Sequence, residues 1–312
     1  MSHFLKETLL YPARSGSSYD WLETLPFRHR VVEIGFGNGD FLFYRSGLNP
    51  DMLHLGIEVS LRCIDKAAKR VGRAGRRNVR FLLGDARFLL REVFPEASLE
   101  GIYMHFPCPW PKSRHAARRV TTTDFINVLA GVLKIGGFFE LVTDEEWYAL
   151  AAEEALGAHE ALAVTVCEPN PARPMTTKYE RKWLDMGKTI FRLQVVKERP
   201  NAVPQLLRRN EPMHIVLPGV TLPDEMIQHI ASLEGGDAGA RWVICQSYRG
   251  MDGSGLAQVI TCDDGFEQRF YLRLVPRQES CLIKVDDASY PFNTPAVQAA
   301  LKGVARALEA RR

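Results

Sequence analysis

The sequence predicts an α/β fold, in which a doubly wound parallel sheet is followed by a second, smaller α+β domain. From residue 31 to residue 168, short apolar runs that end at glycine or proline alternate with segments of helical spacing, as in βαβ units. Beyond residue 213, strand-like runs follow one another without helices between them, which favours an antiparallel sheet. A length of 312 residues with 46% hydrophobic residues is sufficient for two ordinary domains.

Each strand of the first domain is predicted from an apolar run that a turn residue closes, as Gly35 closes VVEIG. The predicted strands are 31–35, 54–60, 78–86, 99–107, 137–144, 161–168 and 190–197. The predicted helices are one that stops near Gly47 and Pro50, followed by 61–75, 87–94, 122–134 and 145–159. Because the excursion before residue 190 is long, we expect the last two strands to be antiparallel.

The second domain is predicted from the run MHIVLPG, a helix over 223–234, four strand-like runs and a final helix over 296–310. The four runs are RWVICQSYR, LAQVITCD, EQRFYLRLV and SCLIKVDD. The predicted segments are therefore an irregular N-terminal arm with at most one helical turn (1–30), the sheet domain (31–199), a proline-rich linker (200–212) and an accessory α+β domain of unknown role (213–312).

Several classes of protein are disfavoured by composition. No stretch of about 18 apolar residues is present, so we expect no membrane-spanning helix, and the first residues lack the long apolar region of a secretory signal. The six cysteines are scattered without a C-x-x-C pair, which argues against a disulfide framework, structural zinc or other metal site. We therefore expect a cytoplasmic protein with reduced thiols, and the sequence leaves its oligomeric state open.

The basic residues are concentrated in one part of the chain. Residues 62–119 contain fourteen Lys or Arg and five Asp or Glu, an excess of +9, whereas the whole chain carries +3. A concentrated basic surface is typical of proteins that bind nucleic acid. The alternative is a solvated helix face with some ion pairs, and the count alone does not decide between the two.

A glycine-rich turn follows the first strand and reads E-x-G-x-G-x-G, with Glu33, Gly35, Gly37 and Gly39. Alternating glycines allow a tight turn and the close approach of a ligand to the backbone. The spacing differs from the G-x-G-x-x-G of dinucleotide-binding oxidoreductases, which disfavours that class. The turn resembles the first motif of class I S-adenosylmethionine methyltransferases, a resemblance that implies a Rossmann-like sheet. The alternative is a tight βα connection without a ligand.

Two further acids end the next two strands. Glu58 lies where a carboxylate accepts hydrogen bonds from a ribose diol in nucleotide-binding sheets. Asp85, followed by Ala86, lies where class I methyltransferases usually hold the adenine amino group. The alternatives are a surface acid for Glu58 and a helix N-cap for Asp85. Because the carboxyl ends of parallel strands line one crevice, three acids at three successive strand ends favour a cofactor site.

The fourth strand ends in the proline-rich segment FPCPWPKSRH, which begins at Phe106. With EIGFGNG, GIEV, K-x-G-G (134–137), Thr143-Asp144 and TKYE (177–180), it resembles the bacterial tRNA (guanine-N7-)-methyltransferase family over about residues 30–197. The resemblance implies methyl transfer from S-adenosylmethionine to N7 of guanine at position 46, in the variable loop of tRNA. The cofactor contacts it implies are Glu33, Gly35, Gly37, Gly39, Glu58, Asp85, Ala86 and Cys108. The substrate contacts it implies are Lys112, Arg114, Asp144, Thr177, Lys178, Tyr179 and Glu180.

Cys108 stands where the family has an aspartate that is usually regarded as catalytic or cofactor-binding. Guanine N7 carries a lone pair at neutral pH, so that no proton has to leave it before methylation. Losing one charged hydrogen bond costs on the order of 1.5–3 kcal/mol, roughly ten- to a hundred-fold in rate. We therefore expect a weakened or rearranged site in which Asp144 takes over the guanine contact, and we do not expect a cysteine nucleophile.

Other interpretations remain open at this point. One is an RNA-binding protein that has lost turnover because of Cys108, and another is a methyltransferase for a different acceptor. Arg118 and Arg119 are candidates for phosphate contacts, and Trp110 either stacks on a base or packs between prolines. The accessory domain is expected to be dispensable for cofactor binding, with a role in tRNA binding, dimerisation or stabilisation.

Overall fold

The protein is described from a computed structural model that covers residues 3–14, 22, 24–112, 114, 119, 121–208 and 210–310. These residues form two compact units. The first holds the described residues of Met1–Tyr11 and Tyr19–Gln205, and the second holds those of Pro12–Ser18 and Leu206–Arg312. The C-terminal boundary between them, at Gln205, falls inside the segment that was predicted to be a linker.

The first unit contains an eight-stranded sheet. Its strands are β1 (Leu9–Leu10), β2 (His29–Ile34), β3 (Met52–Glu58), β4 (Val79–Leu83), β5 (Leu99–His105), β6 (Leu133–Thr143), β7 (Leu162–Pro169) and β8 (Phe191–Lys197). The strand order is β1-β4-β3-β2-β5-β6-β8-β7. All neighbours from β1 to β6 are parallel, whereas β8 is antiparallel to both β6 and β7. The predicted doubly wound sheet and its antiparallel end are confirmed.

The helices of the first unit connect these strands. They are α1 (His3–Thr8), α2 (Asp40–Leu48), α3 (Leu61–Arg73), α4 (Ala86–Val93), α5 (Thr123–Val132), α6 (Glu146–Gly157) and α7 (Lys178–Asp185). From β2 the chain proceeds outward through β3 and β4, and then returns to β5 on the other side of β2. This reversal of strand order opens a crevice at the carboxyl ends of β2 and β5, where ligands bind in open α/β sheets.

One glycine in β3 shows how the sequence shapes this edge. A Cβ atom on Gly56 would lie 2.6 Å from the Phe36 ring, so only glycine leaves room for that ring above the strand. Phe36 is 6% exposed and belongs to a core cluster with Phe81. The turn that follows β2 is therefore anchored on the sheet by an aromatic side chain.

The N-terminal arm is more ordered than expected. Residues His3–Thr8 form α1, and β1 pairs in parallel with β4. Leu5 and Leu9 are buried in a cluster with residues of α3 and β4. The expected arm with a helical turn therefore also holds a strand, which was not predicted because its apolar pattern is too short to be recognised locally and its partners are distant in sequence.

The second unit is an antiparallel sheet with helices, as predicted. Its elements are β9 (His214–Pro218), α8 (Asp224–Ile230), β10 (Glu234–Gly236), β11 (Ala240–Arg249), β12 (Gly255–Asp263), β13 (Phe266–Arg277), β14 (Ser280–Val285) and α9 (Pro295–Glu309). The strand order is β10-β11-β12-β13-β14-β9. The predicted helix over 223–234 ends early, because Ser232 has a φ of 69° and the chain then enters β10. No helix within the described ranges is both long and apolar enough to span a bilayer.

Candidate functional site

A cavity of about 480 Å³ opens at the carboxyl ends of β2, β5 and β6, at the reversal of strand order. It is lined by Glu33, Gly35, Phe36, Gly37, Asn38, Asp40, Phe41, His105, Phe106, Pro107, Cys108, Pro109, Asp144, Glu145, Thr177, Trp183 and Lys188. Its size is in the usual range for a small-molecule or cofactor site. Six of the predicted site residues meet here, which are Glu33, Gly35, Gly37, Cys108, Asp144 and Thr177.

The glycine turn forms one wall of the cavity. Gly35, Gly37 and Gly39 have φ values of 66°, 55° and 72°, a left-handed conformation that side chains rarely adopt. A Cβ atom on Gly35 or Gly37 would meet no atom within 4 Å, so the backbone conformation rather than crowding requires glycine there. Gly39 is the N-cap of α2. The turn therefore presents bare backbone to the cavity, as the sequence predicted.

Glu58 supports this turn from the end of β3. Its carboxylate accepts hydrogen bonds from the amides of Gly37 (3.1 Å), Val59 (2.9 Å) and Ser60 (3.1 Å). Glu58 is not among the residues that line the cavity. In this structure the side chain fixes the shape of the glycine turn, and its predicted contact with a ribose stays a prediction.

Asp85 occupies the N-cap of α4. Its carboxylate accepts a hydrogen bond from the amide of Arg87 (2.9 Å) and forms an ion pair with the Arg87 guanidinium. Ala86 is the first residue of α4. Neither Asp85 nor Ala86 lines the cavity, so the N-cap role considered in the sequence analysis is present, and the predicted adenine contact stays a prediction.

Glu33 is the carboxyl group buried in the cavity wall. It is 5% exposed, and its Oε2 atom has no hydrogen-bond partner. Burial raises the pKa of Glu33 to about 8, with Asp40 and Glu58 adding to the effect, while Arg173 and the amide of Leu42 oppose it. A buried carboxyl oxygen without a partner is costly, and a cationic ligand group in the cavity would satisfy it.

The proline-rich loop after β5 has an unusual backbone. Phe106 and Trp110 have φ values of 52° and 50°, which cost on the order of 1 kcal/mol each for residues other than glycine. The Phe106 amide donates to the Val142 carbonyl (2.7 Å), and the Arg119 guanidinium donates to the Trp110 carbonyl (2.8 and 3.0 Å). These bonds hold exposed Cys108 at the cavity wall.

Arg119 was expected to contact phosphate, and the structure gives it another role. Besides the Trp110 carbonyl, it donates to the Pro111 carbonyl (3.2 Å), and its guanidinium lies 5.2 Å from the Trp147 ring centroid. The Nε and Nη2 donors of Arg119 are therefore used to shape the loop. Arg118 lies outside the described residues.

The opposite wall follows β6 and carries two acids and a lysine. The Lys188 ammonium group bonds the carboxylates of Asp144 and Glu145, the latter at 3.2 Å, and lies 4.4 Å from the centroid of Trp183. The hydrogen bond to Asp144 is the main reason that the pKa of Lys188 is raised. Sequence analysis missed Glu145, Trp183 and Lys188, because no local motif connects them and α7 was not predicted.

The TKYE string forms the start of α7. The Thr177 hydroxyl accepts a bond from the Glu180 amide (3.3 Å), and the Glu180 carboxylate accepts one from the Thr177 amide (3.2 Å), which is a capping box. Glu180 is 2% exposed and forms an ion pair with Arg173 (2.7 Å). Burial raises the pKa of Glu180, and Arg173 opposes this rise. Thr177 therefore lines the cavity, whereas the Glu180 carboxylate is engaged inside the protein.

Arg173 contacts the sheet as well as Glu180. Its guanidinium lies 3.4 Å from Nδ1 of His105, whose Nε2 lies 2.9 Å from Glu140, and Glu140 accepts a hydrogen bond from Arg192 (2.9 Å). Hydrogen bonds from His105 and Arg192 hold the pKa of Glu140 at about 2 although its burial acts in the opposite direction. This buried chain of charges attaches the segment before α7 to the ends of β5 and β6.

Three of the predicted substrate contacts whose side chains the structure describes, Lys112, Arg114 and Glu180, are not among the residues that line the cavity. Lys112 and Arg114 are exposed beyond the proline-rich loop, where a role in RNA binding stays a prediction. Lys178 and Tyr179 belong to α7, and their side chains lie outside the described part of the structure. Within the described residues, no group of three or more His, Cys, Asp or Glu is arranged to hold a metal ion.

Comparison with known proteins identifies close similarity along almost the whole chain. Residues 28–193 match a family described as "Putative methyltransferase". A "tRNA (guanine-N(7)-)-methyltransferase" of Thermotoga maritima is 39% identical over 94% of this chain and 93% of that protein. A protein of the same name from Aquifex aeolicus is 31% identical over 89% of this chain and 93% of its own length. A third, from Nitrosomonas eutropha, is 34% identical over 52% of this chain and 73% of its own length. The first two matches include most of the second unit.

The high pKa of Glu33 predicts a pH-dependent stability. The folded protein retains the Glu33 proton up to about pH 8, whereas the unfolded chain releases it near the ordinary pKa of 4.5. The stabilisation from Glu33 is therefore complete below pH 4.5 and is lost as the pH rises to 8. We expect Glu33→Gln to reduce the loss of unfolding free energy between pH 5 and pH 8, measured by urea denaturation.

Glu154→Gln is the matched control, because Glu154 is an exposed acid on α6. It should retain the pH dependence of the unaltered protein. Equal pH dependence in the Glu33 variant and the unaltered protein would contradict the assignment of a buried, protonated Glu33.

The buried Glu180–Arg173 pair predicts a structural effect of substitution. Glu180→Gln leaves the Arg173 guanidinium, 8% exposed, without its counter-ion, and we expect the free energy of unfolding to fall by about 3 kcal/mol. Thr177→Val, which removes only the capping hydroxyl, should lower it by about 1 kcal/mol. Urea denaturation measures both. A Glu180→Gln protein of unchanged stability that has lost turnover would instead indicate a direct guanine contact.

Proposed function

The chain belongs to the tRNA (guanine-N(7)-)-methyltransferase family, and we propose that it transfers the methyl group of S-adenosylmethionine to N7 of guanine 46 in the variable loop of tRNA. The observation that carries the proposal is the cavity at the reversal of strand order. It has an unpartnered carboxyl group, Glu33, on the glycine-turn side and a polar wall with Asp144, Glu145 and Lys188 on the β6 side.

The residues of the first side fit S-adenosylmethionine. Glu33 would accept hydrogen bonds from the α-ammonium group of the methionyl part, which satisfies the Oε2 atom that otherwise lacks a partner. Gly35 and Gly37 leave open space in front of the backbone for the ligand. The bound cofactor supplies a methyl group on a positively charged sulfur, which makes that methyl group electrophilic. Phe36 and Phe41 contribute apolar surface to the same cavity.

The residues of the opposite side fit a guanine. Asp144 and Glu145 offer carboxylate oxygens to the N1–H and amino donors of guanine, and the Lys188 ammonium group offers a donor to O6. Adenine has the reverse pattern at these positions and would leave the charged groups unmatched. Trp183, which also lines the cavity, provides an aromatic surface beside the base.

No general base is required from the chain. N7 attacks with its lone pair, the bond from carbon to sulfur breaks as the bond from carbon to nitrogen forms, and no proton is transferred. His105, the histidine that lines the cavity among the described residues, bonds Glu140, and burial lowers its pKa, as expected for a structural residue. The protein therefore acts by alignment of the reactants and by charge.

Asp144 and Glu145 contribute to the charge effect. The reaction moves a positive charge from the donor sulfur to the purine, so carboxylates beside the purine stabilise the transition state more than the ground state. Lys188 opposes part of this effect, and its hydrogen bonds orient both carboxylates. Asp144 is the residue we assign to the guanine contact that the family aspartate at position 108 would otherwise share.

The experiment that tests the function is transfer of labelled methyl from S-adenosylmethionine to tRNA. We expect label in tRNA, and strand cleavage at one position of the variable loop after borohydride and aniline treatment, which cleaves at N7-methylguanosine. Glu33→Gln should raise the KM for the cofactor about tenfold or more. Binding of tRNA without transfer would support the non-catalytic alternative, and label on another base or molecule would support a different acceptor.

The replacement of the family aspartate by Cys108 gives a separate prediction. We expect Cys108→Asp to hold or raise kcat, by up to roughly tenfold to a hundredfold, because a carboxylate at the cavity wall adds a charged hydrogen bond. Cys108→Ala should retain turnover within a few-fold, since no step needs the thiol. Steady-state kinetics with purified tRNA measures both variants. A large loss in Cys108→Ala would show that the thiol has its own role.

The cavity-lining residues all belong to the first unit. We therefore propose that cofactor binding is a property of that unit alone. The match with the Thermotoga maritima relative covers 94% of this chain, so it includes most of the second unit.

A further inference from the structure

Helix α3 carries a row of cations along one side. Its buried apolar residues lie together on the side that packs in the core and are Ile64, Ala67, Ala68 and Val71. The cations that recur every three or four residues on the other side, which we name the α3 stripe, are Arg62, Lys66, Lys69 and Arg73. At 3.6 residues per turn these four positions project within about 60° of one another, directly opposite the buried side.

Most of the α3 stripe is free of acidic partners. Lys69 bonds Asp65 at 2.5 Å, one turn earlier on the helix. Arg62, Lys66 and Arg73 are exposed and form no ion pair with any acid in the part of the chain that the structure describes. Three cations on one line, without neutralising carboxylates, produce a positive potential that an anionic ligand can use.

Four other cations of the basic segment have partners within the fold. Arg70 pairs with Asp40 (2.5 Å), Arg87 with Asp85, and Arg91 with Glu92 (2.7 Å). Arg119 donates to backbone carbonyl groups of the proline-rich loop. The exposed cations of the segment that lack an ion pair among the described residues are therefore those of the α3 stripe other than Lys69, together with Arg77 and with Lys112 and Arg114 at the end of that loop.

The position of α3 connects the stripe with the cavity. The helix begins at Leu61, three residues after Glu58, whose carboxylate bonds Gly37 in the cavity wall. Arg62 therefore lies in the first turn, at the edge of the sheet where the cavity opens. Arg73 lies eleven residues further along, about 16 Å from that edge. The stripe is a line of positive charge that starts beside the site and runs away from it.

We propose that the α3 stripe binds the phosphate backbone of the tRNA whose guanine enters the cavity, an inference that rests on the proposed function. Cations spaced about one helical turn apart suit a polyanion that carries one phosphate per nucleotide. Lys and Arg on an open helix face reach phosphates without reading bases, so the stripe supplies affinity and orientation, and the cavity supplies base selection. Arg62 and Arg73 act on the same nucleic acid at different distances from the target base.

The test removes two charges of the stripe that lie away from the cavity. In full-length protein, Lys66→Gln together with Arg73→Gln should weaken binding of an unmodified tRNA transcript about five- to tenfold at 0.1 M salt. The slope of log K against log salt should fall in magnitude by about 1.4–1.8, because each phosphate contact contributes about 0.7–0.9. Affinity for S-adenosylmethionine and kcat at saturating tRNA should stay unchanged, while the KM for tRNA rises.

The control is Arg28→Gln together with Arg199→Gln. Both residues are exposed, and they flank the start of β2 and the end of antiparallel β8, at the opposite edge of the sheet. This variant loses the same charge and should keep the slope of the unaltered protein. An unchanged slope in the stripe variant, or an equal fall in both variants, would overturn the proposal. Failure of the unaltered protein to methylate tRNA would contradict the proposed function instead, since the binding slopes are measured without turnover.

Discussion

The wall of the cavity opposite the glycine turn depends on one buried cation, Arg173. It pairs with Glu180, which closes the capping box at the start of α7, and it approaches His105 at the end of β5. Without this cation the Glu180 carboxylate would be left buried without a counter-ion, which costs several kcal/mol. The segment would then move to expose that carboxylate, and Thr177 and Lys188 on either side of it would lose their places at the cavity. The acceptor side of the site therefore depends on an ion pair that is buried behind the cavity wall.

The acidic residues on the two sides of the cavity have different electrostatic surroundings. Glu33 is buried deeply enough to retain its proton until a cation arrives, so an empty site carries no uncompensated charge there. Asp144 and Glu145 both accept hydrogen bonds from the Lys188 ammonium group. The cofactor side thus holds a buried carboxyl group that lacks a partner, whereas the two acids of the acceptor side already share a lysine partner. Such an arrangement suits a reaction in which positive charge leaves the donor and arrives on the purine.

The sequence predicted most elements of the fold, because strands and helices follow from apolar periodicity over short stretches. It also predicted the glycine turn, whose left-handed backbone needs glycine. The sequence could not show which of Glu33, Glu58 and Asp85 lines the cavity. Each follows a parallel strand, and the three side chains differ in how deeply they are buried, which the sequence does not reveal. Helix α7 was missed because its sequence is mostly polar and its attachment is the contact between Glu180 and Arg173. Contacts of this kind join segments with no shared pattern, and periodicity does not encode them.

The basic residues of the segment 62–119 also show that a local stretch of sequence does not reveal contacts made on folding. An excess of +9 over residues 62–119 does not by itself describe a positive surface, because some of these cations form ion pairs in the folded protein and others stay exposed. Arg87 is paired with the residue that caps its own helix, and Arg119 holds a loop through two carbonyl groups. Lys66 and Arg73 are left unpaired, since the sheet covers the opposite side of α3 and acids near them are few. A basic segment can therefore serve folding and RNA binding together, and only the pairing of each cation tells the two uses apart.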